Sequence, residues 1–139
     1  MRLLLDTHIF LWFIGGNTAL SPYARQLIED RTNARLLSIA SLWEMAIKVS
    51  LGRLTVPLPF TDLVAEHVYG NAMEIFEISP RHLDVLTTLP FYHKDPFDRL
   101  IIAQGQAEDI PILSRDPAFD DYAIRRGSSP LNRGEVRLQ

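Results

Sequence analysis

The chain has 139 residues, 47% hydrophobic and 22% charged, which is the size and balance of one soluble domain with a substantial core. With no cysteine it has no disulfide, thiolate zinc site, iron–sulfur cluster or cysteine nucleophile, and its longest purely apolar run, Ile9 to Ile14, falls far short of the roughly 20 residues that cross a bilayer. A formal charge of −3 argues against coating nucleic acid by bulk electrostatics but leaves room for a local site; of the 14 basic residues only Lys48 and Lys94 are lysine.

In chain order, Arg2 to Asp6 is a short apolar run ending in an acid, which predicts a buried strand of a parallel sheet. A helix is expected over His8 to Ile14, stopped by Gly15-Gly16, and Ser21-Pro22 supplies the cap and first-turn proline of a helix to about Asp30. Ala34 to Ser38 predicts the second strand. Ser41 is read as opening the next helix, which Gly52 ends, and Pro57-Leu58-Pro59 forbids regular structure before a helix over Thr61 to Asn71. Met73 to Ile78 is the third strand. Ser79-Pro80 then caps a helix to Leu89, and Asp95-Pro96 caps another to about Glu108. Ile110 to Leu113 predicts the fourth strand and Pro117 to Tyr122 a short helix; the tail from Arg125 to Gln139 reads as turn-rich, with a last strand near Val136.

Strands separated by helices, with no hairpin signal, predict βαβ crossovers and an α/β fold: a central parallel sheet with helices on both faces, in one domain over residues 1–139. Such sheets bind ligands outside the carboxyl ends of their strands. Four acids fall at or beside those ends. Asp6 directly follows Leu3-Leu4-Leu5 and serves equally as the N-cap of the next helix. Asp116 follows Leu113-Ser114-Arg115 and reads alternatively as a turn acid before Pro117. Asp98 shares a helix face with Ile101 and Ile102, which should look inward; its structural alternative is a carboxylate paired with an arginine. Glu44 fits a capping box with Ser41 and an i,i+4 ion pair with Lys48, yet it lies on a narrow polar stripe of a helix that otherwise reads as mostly buried. That helix presents Leu42, Met45, Ala46 and Val49 on one apolar face and Trp43, Ile47 and Leu51 on a second.

Convergence of these carboxylates implies a cation. Two carboxylates about 4 Å apart repel by about 4 kcal/mol at an effective dielectric near 20, so a cluster needs a metal or raised pKa values. Oxygen ligands without cysteine suit Mg²⁺ or Mn²⁺, ions suited to in-line phosphoryl chemistry with an activated water. Setting the four acids aside leaves 13 of 17 acidic residues against 14 basic ones, so the body of the chain does not repel phosphate.

Leu3-Leu4-Leu5-Asp6-Thr7-His8, Ser41-Leu42-Trp43-Glu44-Met45-Ala46-Ile47-Lys48, His93-Lys94-Asp95-Pro96-Phe97-Asp98-Arg99 and Leu113-Ser114-Arg115-Asp116-Pro117 together resemble, in order, the signatures of PIN-domain ribonucleases, in particular the VapC-type toxins of toxin–antitoxin pairs. The resemblance covers Asp6 to about Tyr122. It implies a three-layer α/β/α sandwich and a Mg²⁺- or Mn²⁺-dependent endoribonuclease whose acidic cluster corresponds to Asp6, Glu44, Asp98 and Asp116. It further implies that Thr7 and Ser114 support the cluster by hydrogen bonding, Ser114 standing where threonine is more usual. Asp95 matches a position common in this subgroup, although its place before Pro96 favours N-capping. His93 reads as structural. The resemblance also implies an RNA substrate, a cognate antitoxin and a homodimer, and the short apolar runs predict no membrane association.

Trp12, Phe13 and Trp43 read as core or interface residues, and Phe91-Tyr92 as a candidate for base stacking. No Walker A, G-x-G-x-x-G, G-x-S-x-G or H-E-x-x-H sequence is present. Asp6 interrupts the first apolar stretch with no small-residue cleavage site behind it, so no secretory leader is read and a cytoplasmic location is expected. Three alternatives stand beside the toxin reading. One is a free-standing RNA-processing nuclease of the same family. Another is a Mg²⁺-dependent phosphatase or phosphotransfer domain with Asp6 as nucleophile, although the second acid usual two residues later is His8 here. The third is a noncatalytic interaction module.

Overall fold

The computed structural model describes residues 1–115 and 137–138. Its centre is a sheet of order β3-β2-β1-β4-β5, formed by β1 (Arg2–Leu5), β2 (Ala34–Ser38), β3 (Glu74–Phe76), β4 (Ile112–Ser114) and β5 (Arg137–Leu138). The first four strands are mutually parallel, and β5 runs antiparallel to β4. The expected last strand is therefore present next to Val136, as an antiparallel edge on an otherwise parallel sheet. Asp116 and the short helix expected over Pro117 to Tyr122 lie outside the described residues.

The leucine run of β1 shows why this is a three-layer α/β/α fold. Successive side chains of a strand point to opposite faces, so Leu3 and Leu5 enter one core with Leu37 and Leu113, while Leu4 enters the other with Leu36 and Ile112. The first core is closed by α1 (Thr7–Ile14), α2 (Pro22–Glu29), α3 (Ile39–Ser50) and the helical run beginning with α4 (Phe60–Leu63). The second is closed by α5 (Pro80–Thr87) and α6 (Pro96–Glu108), through Leu100, Ile101 and Ile102. A strand buried on both faces has no solvent-facing positions to alternate, which is why β1 reads as a continuous apolar run, while β2 sets the buried Arg35 and Ser38 around Leu36-Leu37.

Several boundaries differ from expectation for identifiable reasons. α3 begins at Ile39 with Ser38 as its N-cap, the serine Oγ accepting from the Ala40 amide at 3.0 Å, so Ser41 is not a cap and the Ser41–Glu44 capping box does not form. The strand runs straight into the helix without a loop, which puts Ser41 inside the first turn, fully buried. Trp43 and Leu51 are 57% and 59% exposed, so the second apolar face of α3 is turned to solvent rather than buried. The helix expected over Thr61 to Asn71 is one run with changing winding: α4, a π turn over Val64–Val68 and a 3₁₀ turn over Tyr69–Asn71, ended by Ala72 in the left-handed region. β3 ends at Phe76, where its pairing with β2 ends. β4 starts two residues late because the Ile110 amide closes the end of α6 on the Gly105 carbonyl and Pro111 has no amide to give. No helix among the described residues is long and apolar enough to cross a membrane.

Candidate active site

Parallel register aligns the carboxyl ends of β1 and β4: Leu5 pairs with Leu113, and the Asp6 amide donates to the Leu113 carbonyl at 3.1 Å. Asp6 therefore emerges beside Ser114. It is the N-cap of α1, its Oδ1 accepting from the Ile9 amide at 2.8 Å, and its Oδ2 accepts from the buried Ser114 hydroxyl at 2.5 Å. These two donors, one of them at the N-terminus of α1, occupy both carboxylate oxygens. Capping and membership of an acidic site are thus compatible, since a carboxylate offers two oxygens.

Glu44 reaches the same end from the second turn of α3 and is buried. Thr7 Oγ1 lies 2.9 Å from Glu44 Oε1 and 2.9 Å from Ser41 Oγ. Thr7 has one hydroxyl proton and a carboxylate can only accept, so Thr7 donates to Glu44 and accepts from Ser41. The other oxygen, Oε2, accepts from Lys48 Nζ at 2.7 Å, which is the ion pair the sequence suggested. Ser41, misread as a cap, is instead the far end of a hydroxyl relay that fixes Glu44.

Asp98 stands in the first turn of α6, half-buried, but its partner is His93 rather than an arginine: Nε2 lies 3.0 Å from Oδ2. His93 Nδ1 accepts from the Asp95 amide at 3.1 Å, so the proton of the neutral ring sits on Nε2 and points at Asp98. Asp95 is the N-cap of α6 and takes the amides of Phe97 and Asp98 at 2.9 and 3.0 Å. The donors that would stabilise an Asp98 carboxylate are therefore spent on Asp95. Burial is the main reason that the Asp98 carboxyl is pushed up from 3.8 to about 7; the Asp95 charge raises it further, His93 opposes, and Asp6 and Glu44 add to the rise. That Asp6 and Glu44 both act on Asp98 expresses the convergence of α1, α3 and α6.

Sequence reasoning missed Arg99. Its guanidinium is buried and donates to the carbonyls of Leu89 at 3.2 Å, Pro90 at 2.9 Å and His93 at 3.4 Å, holding the loop that carries His93. An arginine among the apolar residues of α6 is the only sequence signal it gives. Also missed was a buried relay in which Ser38 Oγ donates to Gln104 Oε1 at 2.6 Å, tying the start of α3 to α6.

Among the described residues no three histidine, aspartate or glutamate side chains are drawn together closely enough to hold a metal ion. The donor chemistry fits a hard divalent cation nonetheless: Asp6, Glu44 and Asp98 offer only oxygens, and burial followed by neighbouring carboxylates disfavours a further negative charge on Asp98.

An α/β/α sandwich with carboxylates from α1, α3 and α6 at the carboxyl end of its parallel strands defines an acidic-site α/β domain. The chain belongs to the PIN domain family, a family of nucleases, whose model matches residues 3–125. Its fold is similar to that of VapBC2 from Rickettsia felis, solved bound to a DNA fragment from its promoter, with a TM-score of 0.66 and 17% sequence identity over 88% of this chain and 94% of that one. No curated protein matches the chain.

Proposed function

We propose that this protein is a divalent-metal-dependent endoribonuclease, the toxin of a toxin–antitoxin pair, acting in the cytoplasm. The observation that carries the reading is that Asp6, Glu44 and Asp98, from α1, α3 and α6, act electrostatically on one another, each with a dedicated donor: Ser114, Thr7 and His93 respectively. Asp6, Glu44 and Asp98, with Asp116, would hold Mg²⁺ or Mn²⁺. Such an ion, when bound, lowers the pKa of a water and screens charge developing on a phosphodiester. Ser114 and Thr7 fix the rotamers of Asp6 and Glu44, and Asp95 holds the first turn of α6 so that Asp98 faces the other acids. Lys48 and His93 supply positive charge or a donor to the same carboxylates.

The likeness to VapBC2 supports an antitoxin partner. An apolar cleft of about 220 Å³ between the end of α1 and the 54–58 segment, lined by Leu11, Ile14, Leu54, Val56 and Leu58, suits an amphipathic helix, and the exposed apolar face of α3 extends the surface available to such a partner or to a second copy in a homodimer.

The test is cleavage of single-stranded RNA by the purified protein with Mn²⁺ and with chelator, for wild type and for Asp6→Asn. Cleavage by wild type with Mn²⁺ only, reduced at least about 10-fold in the variant, is expected. Metal-independent cleavage, or full activity of Asp6→Asn, would overturn the assignment. Trapping of a phosphorylated Asp6 would favour a phosphotransfer domain instead.

A further inference from the structure

The loop from Leu89 to Asp95 carries the most exposed large apolar side chain of the described residues. Phe91 is 77% exposed. Surface phenylalanines are ordinarily loose, but this one is held: the Arg99 guanidinium carbon lies 3.9 Å from its ring centroid, over the face of the ring. The same guanidinium donates to the carbonyls on either side, at Leu89, Pro90 and His93. Ring and loop are therefore fixed by one buried cation. One face of the ring is covered by the guanidinium, and the exposure that remains belongs to the opposite face and the edges.

The position of this ring relates it to the acidic site. Two residues further along the same loop His93 touches Asp98, and Phe97, beside Asp98 in sequence, packs edge-on against the exposed Trp43, the neighbour of Glu44, at 5.1 Å. The loop thus borders the Asp98 carboxylate, and the helix it leads into packs against an exposed indole. Arg99 bonds carbonyls and a ring and no carboxylate among the described residues, and Lys94 is exposed beside it. A loop with a flat apolar surface and an exposed lysine, at the edge of an acidic site, suits a strand that alternates phosphates with unpaired bases.

We propose that Phe91, held from behind by Arg99, is a stacking platform for an unpaired base of single-stranded RNA that enters the acidic site. The proposal rests on the nuclease reading above and deepens it. Preorganisation is the physical core of the argument: a ring already fixed in the free protein loses little conformational entropy when a base stacks on it. A duplex, whose bases are stacked on one another, offers no face to the ring, so the platform selects single strands.

The probe is a ten-nucleotide single-stranded RNA with 2-aminopurine walked through its positions, titrated in chelator so that no cleavage occurs. For wild type, fluorescence quenching is expected at one or two adjacent positions and not in the corresponding duplex. Phe91→Ala should lose that quenching and bind about 5-fold to 100-fold more weakly, whereas Phe91→Trp should restore both. With Mn²⁺, the loss in Phe91→Ala should fall on KM rather than kcat. Unchanged quenching and affinity in Phe91→Ala would overturn the proposal, as would a variant altered only in self-association by light scattering, which would make the ring a protein contact. Failure of the nuclease reading looks different: wild type would bind and quench the RNA in chelator yet leave it intact with Mn²⁺. Wild type that neither binds nor cleaves the strand would overturn both.

Discussion

Asp98→Asn should make the metal-free protein more stable above neutrality while leaving it almost unchanged in weak acid. Burial, with Asp95, Asp6 and Glu44 adding to it and His93 opposing, raises the Asp98 carboxyl from 3.8 to about 7. Between those values the native state keeps a proton that the unfolded chain has released, so unfolding free energy falls as pH rises through that window and then levels off. From pH 5 to pH 8 two pH units lie within the window, and at about 1.4 kcal/mol per unit the loss is about 3 kcal/mol. The side chain is 21% exposed, so water shares part of the burden and about 2 kcal/mol is the expected figure. Asparagine has the same shape and its Oδ1 still accepts from His93, but it has no charge to bury.

Urea denaturation of both proteins in chelator, at pH 5 and pH 8, measures the effect as a difference of differences, in which all other titrating groups largely cancel. Wild type should lose about 2 kcal/mol more than the variant across that interval. Saturating Mn²⁺ at pH 8 should then stabilise wild type and leave Asp98→Asn nearly unmoved, because only a ligand of the native state shifts the equilibrium. Parallel pH dependences for the two proteins would refute the account of Asp98, whatever the nuclease assay shows.

Glu44→Gln keeps the acceptor for Thr7 and loses only a half-exposed pair with Lys48, so stability should change by under about 1 kcal/mol while Mn²⁺-dependent cleavage falls at least about 10-fold; a normal cleavage rate would make Glu44 structural. In Asp116→Asn we expect excess Mn²⁺ to restore much of the rate, whereas Asp6→Asn stays inactive across the same titration; equal, unrescued loss in both would show the two acids to be equivalent. Gly105→Ala places a Cβ 2.7 Å from Ile112 Cδ1 and 3.3 Å from the Ile110 carbonyl, both in the buried seam between α6 and β4. Overpacking of about 1–3 kcal/mol, offset in part by helix propensity, should lower stability by about 1–2 kcal/mol, and thermal melts equal to wild type would show that the seam yields.

The layers of the fold were legible because they rest on local signals. Doubly buried strands announce themselves as Leu3-Leu4-Leu5 and Leu36-Leu37, and serine or aspartate before proline marks the starts of α2, α5 and α6. Ser38 and Ser41 show where such signals fail. Both are serines near the start of one helix, and which of them caps depends on whether a loop separates strand from helix, a matter of tertiary geometry. Asp6 was legible at a strand end, and Glu44 and Asp98 as polar positions on otherwise apolar helices, but their partners were not. His93 meets Asp98 because Arg99 shapes the loop between them, and Gln104 finds Ser38 across 66 residues of sequence. Pairings of that kind carry no periodicity or spacing.

The same structure explains how a stable fold carries an acidic cluster at all. Helix N-termini favour negative charge, and the sequence puts Asp6 at the start of α1 and Asp95 at the start of α6, where each also satisfies amides the helix would otherwise leave open. Glu44 lies deeper in α3, beyond the reach of that dipole, and is the acid matched with a lysine. Asp98 has neither arrangement in full. Its helix amides go to Asp95 and its nearest donor is an imidazole, so it is the carboxyl whose proton affinity rises. Burial, and then the neighbouring acids, raise the proton affinity of Asp98, and a divalent cation bound beside it would oppose that rise. Metal binding at neutral pH should then displace a proton from Asp98, which couples occupancy of the site to pH.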